Sequence, residues 1–354
     1  MQISHSTYHS NPIQRLADLD QRLTGLGARP IHRDRMLRAW LQGKPLDTPT
    51  RRHASADFLP LAVRNELPRL TDELDNLVRV QTEHTAADGS ARLLVELRDG
   101  QMVESVLLPR QGVCVSTQVG CAVGCRFCMT GKSGLLRQVS SMEIIAQVVQ
   151  ARRKRNVQKV VFMGMGEPAH NLDNVLETIE VLGTYGDFNH KKLVFSTVGD
   201  MRVFERLPAM KVKPALALSL HTTKNELREY LLPKAPKIAP EELVELGEIY
   251  ARKVGYPIQY QWTLLKGIND GMDEWEAIPH LLKNKYAVLN LIPFNSAEGD
   301  EYQRPAVERI TEIVRYLHER GVFTTVRNSA GQDVDGGCGQ LRARAPRIDL
   351  KNLS

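Results

Sequence analysis

The sequence predicts an α/β protein built on a parallel sheet, closed or partly closed as a barrel, with a small helical module and a β-hairpin in front of it. Three observations lead there. From about Gln111 onward short apolar strands alternate with helical segments, the pattern of βα units joined by right-handed crossovers. Just before that stretch apolar and polar residues alternate, and the turn dipeptide Asp99-Gly100 separates two such runs. The N-terminal 75 residues, by contrast, space their apolar positions as helices do.

The elements follow in order. Ile13, Leu16, Leu19 and Leu23 lie at helical spacing within 11–25, and Gly25 and Gly27 stop the pattern. A second helix is expected from about His32 to Gln42, burying Met36, Leu37, Trp40 and Leu41, and a third over Leu59–Leu67. Leu77-Val-Arg-Val-Gln, Arg92–Leu97 and Val103–Leu108 then read as strands. In the βα series the strands are Lys159–Met163, Lys192–Ser196, Pro214–Leu220, Ile258–Leu264, Ala287–Ile292 and Phe323–Val326. Between them lie helices near Leu172–Gly183, Met201–Leu207, within 224–253, at Glu274–Lys283 and at Val307–Arg320. The division expected is an accessory helical domain over 1–75, a hairpin extension over 76–110, the barrel over 111–341 and a tail over 342–354. Functional loops in such sheets leave the C-terminal ends of the strands.

Composition places the chain among well-cored proteins, with 42% apolar and 25% charged residues. The start, Met1-Gln2-Ile3-Ser4-His5, has no basic stretch followed by an apolar one, and no apolar run approaches the ~20 residues of a membrane helix. A cytoplasmic location without membrane attachment is expected, where clustered thiols act as metal ligands or catalysts rather than as disulfide staples. The net charge of +6 suits a polyanionic partner without requiring one. Arg29, His32, Arg33, Arg35 and Arg38 crowd one segment, Arg51-Arg52-His53 follow, and Arg152-Arg153-Lys154-Arg155 form a second block. Either block reads equally well as a solvated helix face.

Five cysteines carry the sharpest chemical signal. Three form Cys121-Ala-Val-Gly-Cys125-Arg-Phe-Cys128; Cys114 lies upstream and Cys338 far downstream in Asp335-Gly-Gly-Cys338-Gly-Gln-Leu. Three thiolates are one too few for a structural zinc site. They suit a four-iron cluster in which one iron stays open to a ligand. A zinc knuckle completed by Cys114 or Cys338, in an RNA-binding module without catalysis, is the alternative from another class. After the next strand comes Gly164-Met-Gly166-Glu167-Pro168, where glycines let backbone approach a ligand and Glu167 can accept from an amine or hydroxyl.

These motifs carry a resemblance. Cys121-x3-Cys125-x2-Cys128 resembles the radical-SAM signature, and Gly164–Pro168 its companion segment. More narrowly, the chain resembles the RlmN/Cfr family of radical-SAM RNA adenosine methyltransferases over residues ~100–341. The matching stretches are Glu104-Ser-Val-Leu-Leu-Pro, Cys114-Val-Ser-Thr-Gln-Val-Gly-Cys121, Phe162–Pro168, Ser196-Thr-Val-Gly199, Leu218-Ser-Leu-His221, Asn290–Asn295 and Cys338-Gly-Gln-Leu341.

The resemblance implies a partial (β/α)6-type radical-SAM barrel and a set of roles. Cys121, Cys125 and Cys128 would hold one [4Fe-4S] cluster, and Gly166, Glu167, Ser196, Ser219, Leu220, His221 and Asn295 would line an S-adenosyl-L-methionine pocket. Two S-adenosylmethionine molecules would be used per turnover. Cys338 would carry the methyl group as S-methylcysteine, Glu104 would accept a ring proton, and Cys114 would release the product by forming a transient disulfide with Cys338. The substrate would be an adenine carbon, C2 or alternatively C8, in 23S ribosomal RNA or tRNA. A low-potential donor such as flavodoxin or ferredoxin would supply electrons to a monomeric enzyme. Taken without the family, Cys114 also reads as an inert strand residue, Glu104 as a solvated hairpin carboxylate, and Ser196, His221 and Asn295 as polar strand ends. A radical-SAM enzyme acting on a peptide or small molecule is the runner-up.

Overall fold

The N-terminal helices and the barrel share one apolar core. Leu19 and Leu23 of the helix Leu16–Gly25, Met36, Leu37, Trp40 and Leu41 of Pro30–Leu41, and Val63, Leu70 and Leu74 of Leu61–Asp75 all belong to it. The computed structural model describes residues 12–49, 58–132, 134–295 and 301–328. The third helix continues well past the expected end at Leu67, through Pro68 to Asp75. A proline inside a helix costs about 3 kcal/mol because it removes a backbone donor. Burying Leu70 and Leu74, at about 1.5–3 kcal/mol each, offsets that cost.

The main sheet has ten strands in the order β1-β2-β3-β4-β7-β8-β9-β10-β11-β12. They are β1 Val78–Thr85, β2 Ala91–Leu97, β3 Met102–Leu108, β4 Gly112–Cys114, β7 Lys159–Phe162, β8 Leu193–Thr197, β9 Ala215–Ser219, β10 Ile258–Leu264, β11 Ala287–Pro293 and β12 Thr324–Val326. Pairing is antiparallel from β1 to β4 and parallel from β4 to β12. The hairpin strands therefore do not stand apart; β3 pairs with β4, so the antiparallel strands continue the parallel sheet. Between β2 and β3 the turn forms as the dipeptide requires, with Gly100 at φ 79° and the Asp99 carboxylate accepting from Gln101 N at 3.1 Å.

Two elements escape a reading of the sequence. The ribbon of β5 Gln118–Gly120 and β6 Leu135–Gln138 brackets the cysteine loop. Its strands are too short to show a period. The helix Ser141–Lys154 buries Met142, Ile144, Ile145, Ala146, Val148 and Val149, so its apolar positions run nearly all round and mask the helical stripe. Its start is fixed by a capping box, with Ser140 N donating to Glu143 Oε2 at 2.9 Å and Glu143 N to Ser140 Oγ at 3.2 Å.

Strand alternation sorts side chains onto two faces. Leu93, Val95, Val103, Leu107, Val113, Val160, Phe162, Phe195, Leu216, Leu218, Tyr260, Trp262, Leu289 and Leu291 join the main core under the helices. The intervening positions face the barrel interior. There Val161, Val194, Ala215 and Ala217 form a separate small cluster. Register puts Arg92, Glu104, Val106 and Cys114 on that same inner face, through the pairs Arg92↔Val106 and Val106↔Cys114. Ser196, Ser219, Gln261 and Asn290 follow on it toward the strand ends.

Candidate active site

The cysteine loop is held by backbone. Cys121 N donates to Gly134 O at 3.0 Å, which closes the β5–β6 ribbon beneath it, and Cys128 N donates to Cys125 O at 3.0 Å. Arg126 N to Leu231 O (3.0 Å) and Lys234 N to Val123 O (3.2 Å) bind the loop to the segment 231–234. Gly120 sits at φ +83° against Gly134 O, where a Cβ has no room. Burial pushes the Cys121 thiol up to about 11, with the charges of Glu167 and Cys128 adding to the shift. Cys125 is pushed well above its ordinary value, first by burial and then by Cys128, Cys121 and Glu167. Cys121 and Cys125, whose ionisation is opposed by burial and by neighbouring charge, suit a cationic metal core, which reverses that penalty. Among the described residues, no three His, Cys, Asp or Glu side chains are drawn into the geometry of a single bound ion.

Glu167 ties two strand ends together. Its carboxylate accepts from Ala169 N at 3.0 Å and from Val198 N at 3.0 Å, and its own N donates to Gln118 Oε1 at 2.7 Å. Burial raises it to about 7 against these hydrogen bonds. The Thr197 side chain also hydrogen-bonds to this carboxylate, which leaves one lone-pair site for a ligand donor. Gly166, at φ +103°, comes so close to Gln118 that a Cβ would lie 2.6 Å from the Gln118 Cβ.

His221, at the end of β9, holds a left-handed φ of 65°, uncommon for a residue with a side chain. Asn269 fixes it by donating from Nδ2 to His221 O (2.7 Å) and Thr263 O (2.8 Å), while Leu265 N donates to its Oδ1 at 2.8 Å. The Nδ1 of His221 accepts from Thr263 N at 3.0 Å, which leaves Nε2 to carry the proton of the neutral ring. Burial, then the charge of Arg228, lowers His221 to about 3. The Phe127 ring stands edge-on to it at 4.9 Å, joining the cysteine loop to this pocket. Ser196 and Leu220 are buried nearby and Ser219 is half-buried; Asn295 is half-buried beyond β11.

Across the interior stands Glu104, 1% exposed and in an ion pair of 3.2 Å with Arg92, itself 2% exposed. A solvated hairpin carboxylate is thereby excluded. Ser116 Oγ donates to Glu104 O at 2.5 Å, and Gln147 Oε1 accepts from both Ser116 N and Ser105 Oγ at 2.9 Å. These bonds pin β3 to the strand that carries buried Cys114. Cys338 lies outside the described residues.

The two basic segments part company. In the second, Arg152 donates to Leu41 O (2.8 Å) and Gly186 O (2.7 Å) and stacks on Phe188, Arg153 pairs with Asp75 (2.6 Å), Lys154 with Glu83 (2.6 Å), and Arg155 donates to Gly89 O (2.9 Å). It is a clasp between elements rather than a solvated face. In the first, Arg33 is held by Asp20 and Asp34 and Arg35 lies over Phe58, while Arg29 is exposed. Sequence reasoning also missed Arg92, Gln118, Asn269 and Arg228. Their roles come from contacts between distant segments, and no local pattern marks them.

Comparison with known proteins agrees with this geometry. The radical SAM superfamily profile matches residues 115–281. A "probable RNA methyltransferase" of Bordetella avium is 73% identical over 95% of this chain and 95% of its own length. Another from Ectopseudomonas mendocina is 70% identical over 96% of this chain and 97% of its own. Among solved structures, a radical SAM methyltransferase from Sphaerobacter thermophilus superposes with a TM-score of 0.79 at 32% identity, covering 92% of this chain and 97% of that one. Membership of this superfamily implies a [4Fe-4S] cluster and S-adenosylmethionine, and the donor set of one buried and two half-buried thiols on one short loop fits the cluster. The chain belongs to the radical-SAM methyltransferases of the RlmN/Cfr type.

Proposed function

We propose that this protein methylates an adenine carbon in structured RNA, C2 with C8 as the alternative, in 23S ribosomal RNA or tRNA. The relatives named as RNA methyltransferases support the substrate class. The observation that carries the rest is the common inner face: Glu104 and Cys114 look across the interior toward the end where Ser196 and Ser219 stand.

On this reading Cys121, Cys125 and Cys128 hold the cluster, and Glu167, Gly166, Ser196, Ser219, Leu220, His221 and Asn295 line the S-adenosylmethionine pocket. When bound, the cluster supplies the electron that cleaves S-adenosylmethionine. Cys338 would take the methyl group from S-adenosylmethionine on its sulfur; the deoxyadenosyl radical from a second S-adenosylmethionine would remove one hydrogen from that methyl, and the resulting carbon radical would bond to the adenine ring. Glu104, kept next to Arg92, accepts the ring proton whose loss frees the product. The Cys114 thiolate then attacks the Cys338 sulfur, forming the disulfide as the carbon–sulfur bond breaks. Residues 1–75 act as an RNA-docking module, with exposed Arg29 among its phosphate contacts, and 111–341 as the catalytic barrel. The enzyme is placed in the cytoplasm as a monomer fed by a flavodoxin- or ferredoxin-class donor; among the described residues no helix is long and apolar enough to cross a membrane.

Peptide mass spectrometry tests the reading. Protein purified from cells should carry one added methyl on the peptide containing Cys338. An unmodified Cys338 in both the wild type and a Cys114→Ala variant contradicts it.

A further inference from the structure

Arg228 is a cation buried without a carboxylate partner among the described residues. Only 3% of it is exposed. Its guanidinium donates to Val198 O and to Ser219 O (3.4 Å), the carbonyls that end β8 and β9, and its Nε has no hydrogen-bond partner among the described residues. Carrying a charge into the interior unpaired is costly, so such a group marks a place where a negative charge is to be met.

The neighbourhood says which charge. Arg228 lies on the helix Asn225–Leu231, and this helix is bolted to the cysteine loop. Arg126 N donates to Leu231 O at 3.0 Å and Arg126 Nε to Tyr230 O at 2.8 Å. Leu227 and Leu231 pack in one apolar cluster with Cys121, Cys125, Phe127 and Val198, the residue whose carbonyl accepts from Arg228. Burial lowers Arg228 to about 10, and the charge of Cys125 works against that fall. The potential of an iron–sulfur cluster follows net charge, hydrogen bonding and exposure at the site.

We propose that Arg228 is a positioning residue whose fixed positive charge raises the reduction potential of the cluster held by Cys121, Cys125 and Cys128, bringing it within reach of a low-potential donor. The inference rests on the reading of these thiols as cluster ligands. One electron enters from a reductant of the flavodoxin, ferredoxin or dithionite class, and Arg228 itself changes neither bond nor proton.

The test is an EPR-monitored redox titration of the full chain, reconstituted anaerobically, as wild type, Arg228→Gln and Arg228→Lys. Iron and sulfide are measured first. Gln keeps a donor for the carbonyls and loses the charge; Lys keeps the charge and loses the fork. At the wild-type midpoint the Gln variant should show a reduced-to-oxidised ratio about tenfold lower, a shift of about 59 mV for one electron. The Lys variant should titrate as wild type does. An unshifted Gln variant, or a Lys variant shifted as far as Gln, overturns the proposal and assigns Arg228 to holding the strand ends. Weakened S-adenosylmethionine binding with an unmoved potential also overturns it. Should the Gln variant not retain iron, the Lys variant decides alone: a wild-type potential supports the charge, a shifted one refutes it. A wild type that assembles no cluster refutes the ligand reading itself.

Discussion

The barrel interior has two unlike walls. On the β7–β9 side the chemistry-bearing groups sit on loops: the three thiols, Glu167 and His221 are placed by backbone hydrogen bonds, glycines and one left-handed histidine. On the β2–β4 side Arg92, Glu104 and Cys114 stand on the strands themselves and are placed by register, which an ion pair and the Ser116 and Gln147 hydrogen bonds reinforce. Loops suit thiols that must converge on one metal core. Strands suit a base and a thiol that must face the same bound ring, because the pairing register fixes which face each side chain takes. On the function proposed, the first wall would start the reaction and the second would end it.

Removing one member from each wall separates these duties most sharply. Cys125→Ala should abolish iron–sulfur assembly, so the brown colour, the iron content and all RNA methylation are lost, as read by iron assay and activity. Glu104→Gln should keep the cluster and the contact with Arg92 but slow turnover by about 10²–10⁴-fold, the usual worth of a positioned base. In that variant a covalent protein–RNA adduct should accumulate on denaturing gels. Cys114→Ala should trap the same adduct. A Glu104→Gln enzyme of wild-type rate without adduct would dissolve the distinction between the walls.

The loop wall also has a pH signature in the apoprotein. Glu167, raised from 4.5 to about 7 in the fold, binds a proton that the unfolded chain releases, so its contribution falls as pH rises from 4.5 to 7. His221, lowered from 6.5 to about 3, stays neutral where the unfolded chain is protonated, so its contribution is lost as pH falls below 6.5. Between pH 4.5 and 6.5 the two slopes oppose. His221→Asn, which tolerates the left-handed backbone, should remove the second slope. The variant's denaturation free energy should then fall relative to wild type by about 1.4 kcal/mol per pH unit across that window. Parallel curves would show that His221 is not buried neutral.

A smaller contrast concerns charge outside the barrel. Arg152→Ala should cost roughly 2–4 kcal/mol of stability, since two carbonyls and the Phe188 face lose their cation, and leave RNA affinity nearly unchanged. Arg29→Ala should leave stability unchanged and reduce the salt slope of RNA binding by about 1. Thermal melts and binding titrations at several salt concentrations check both.

That contrast also shows what the sequence could convey. Two arginine-rich segments read alike because charge is a local property, whereas Asp75, Leu41 and Gly186 reach Arg152-Arg153 from distant parts of the chain. The barrel strands were legible because each is an apolar run punctuated by turns, and the cysteine loop because its ligands are close in sequence. The β5–β6 ribbon was not, being three and four residues long. The helix through Pro68 was cut short by a local rule that tertiary burial overrode. Glu104 was found by motif, but its partner Arg92 exists only through strand pairing.

The central claim is that these two walls together methylate RNA. Mass spectrometry of ribosomal and transfer RNA from cells lacking this gene, complemented with wild type, Cys125→Ala or Glu104→Gln, tests it most directly. The account predicts that one carbon-methylated adenosine disappears on deletion and returns only with the wild-type chain. An unchanged set of methyladenosines in both RNA classes, or full restoration by Cys125→Ala, would contradict it.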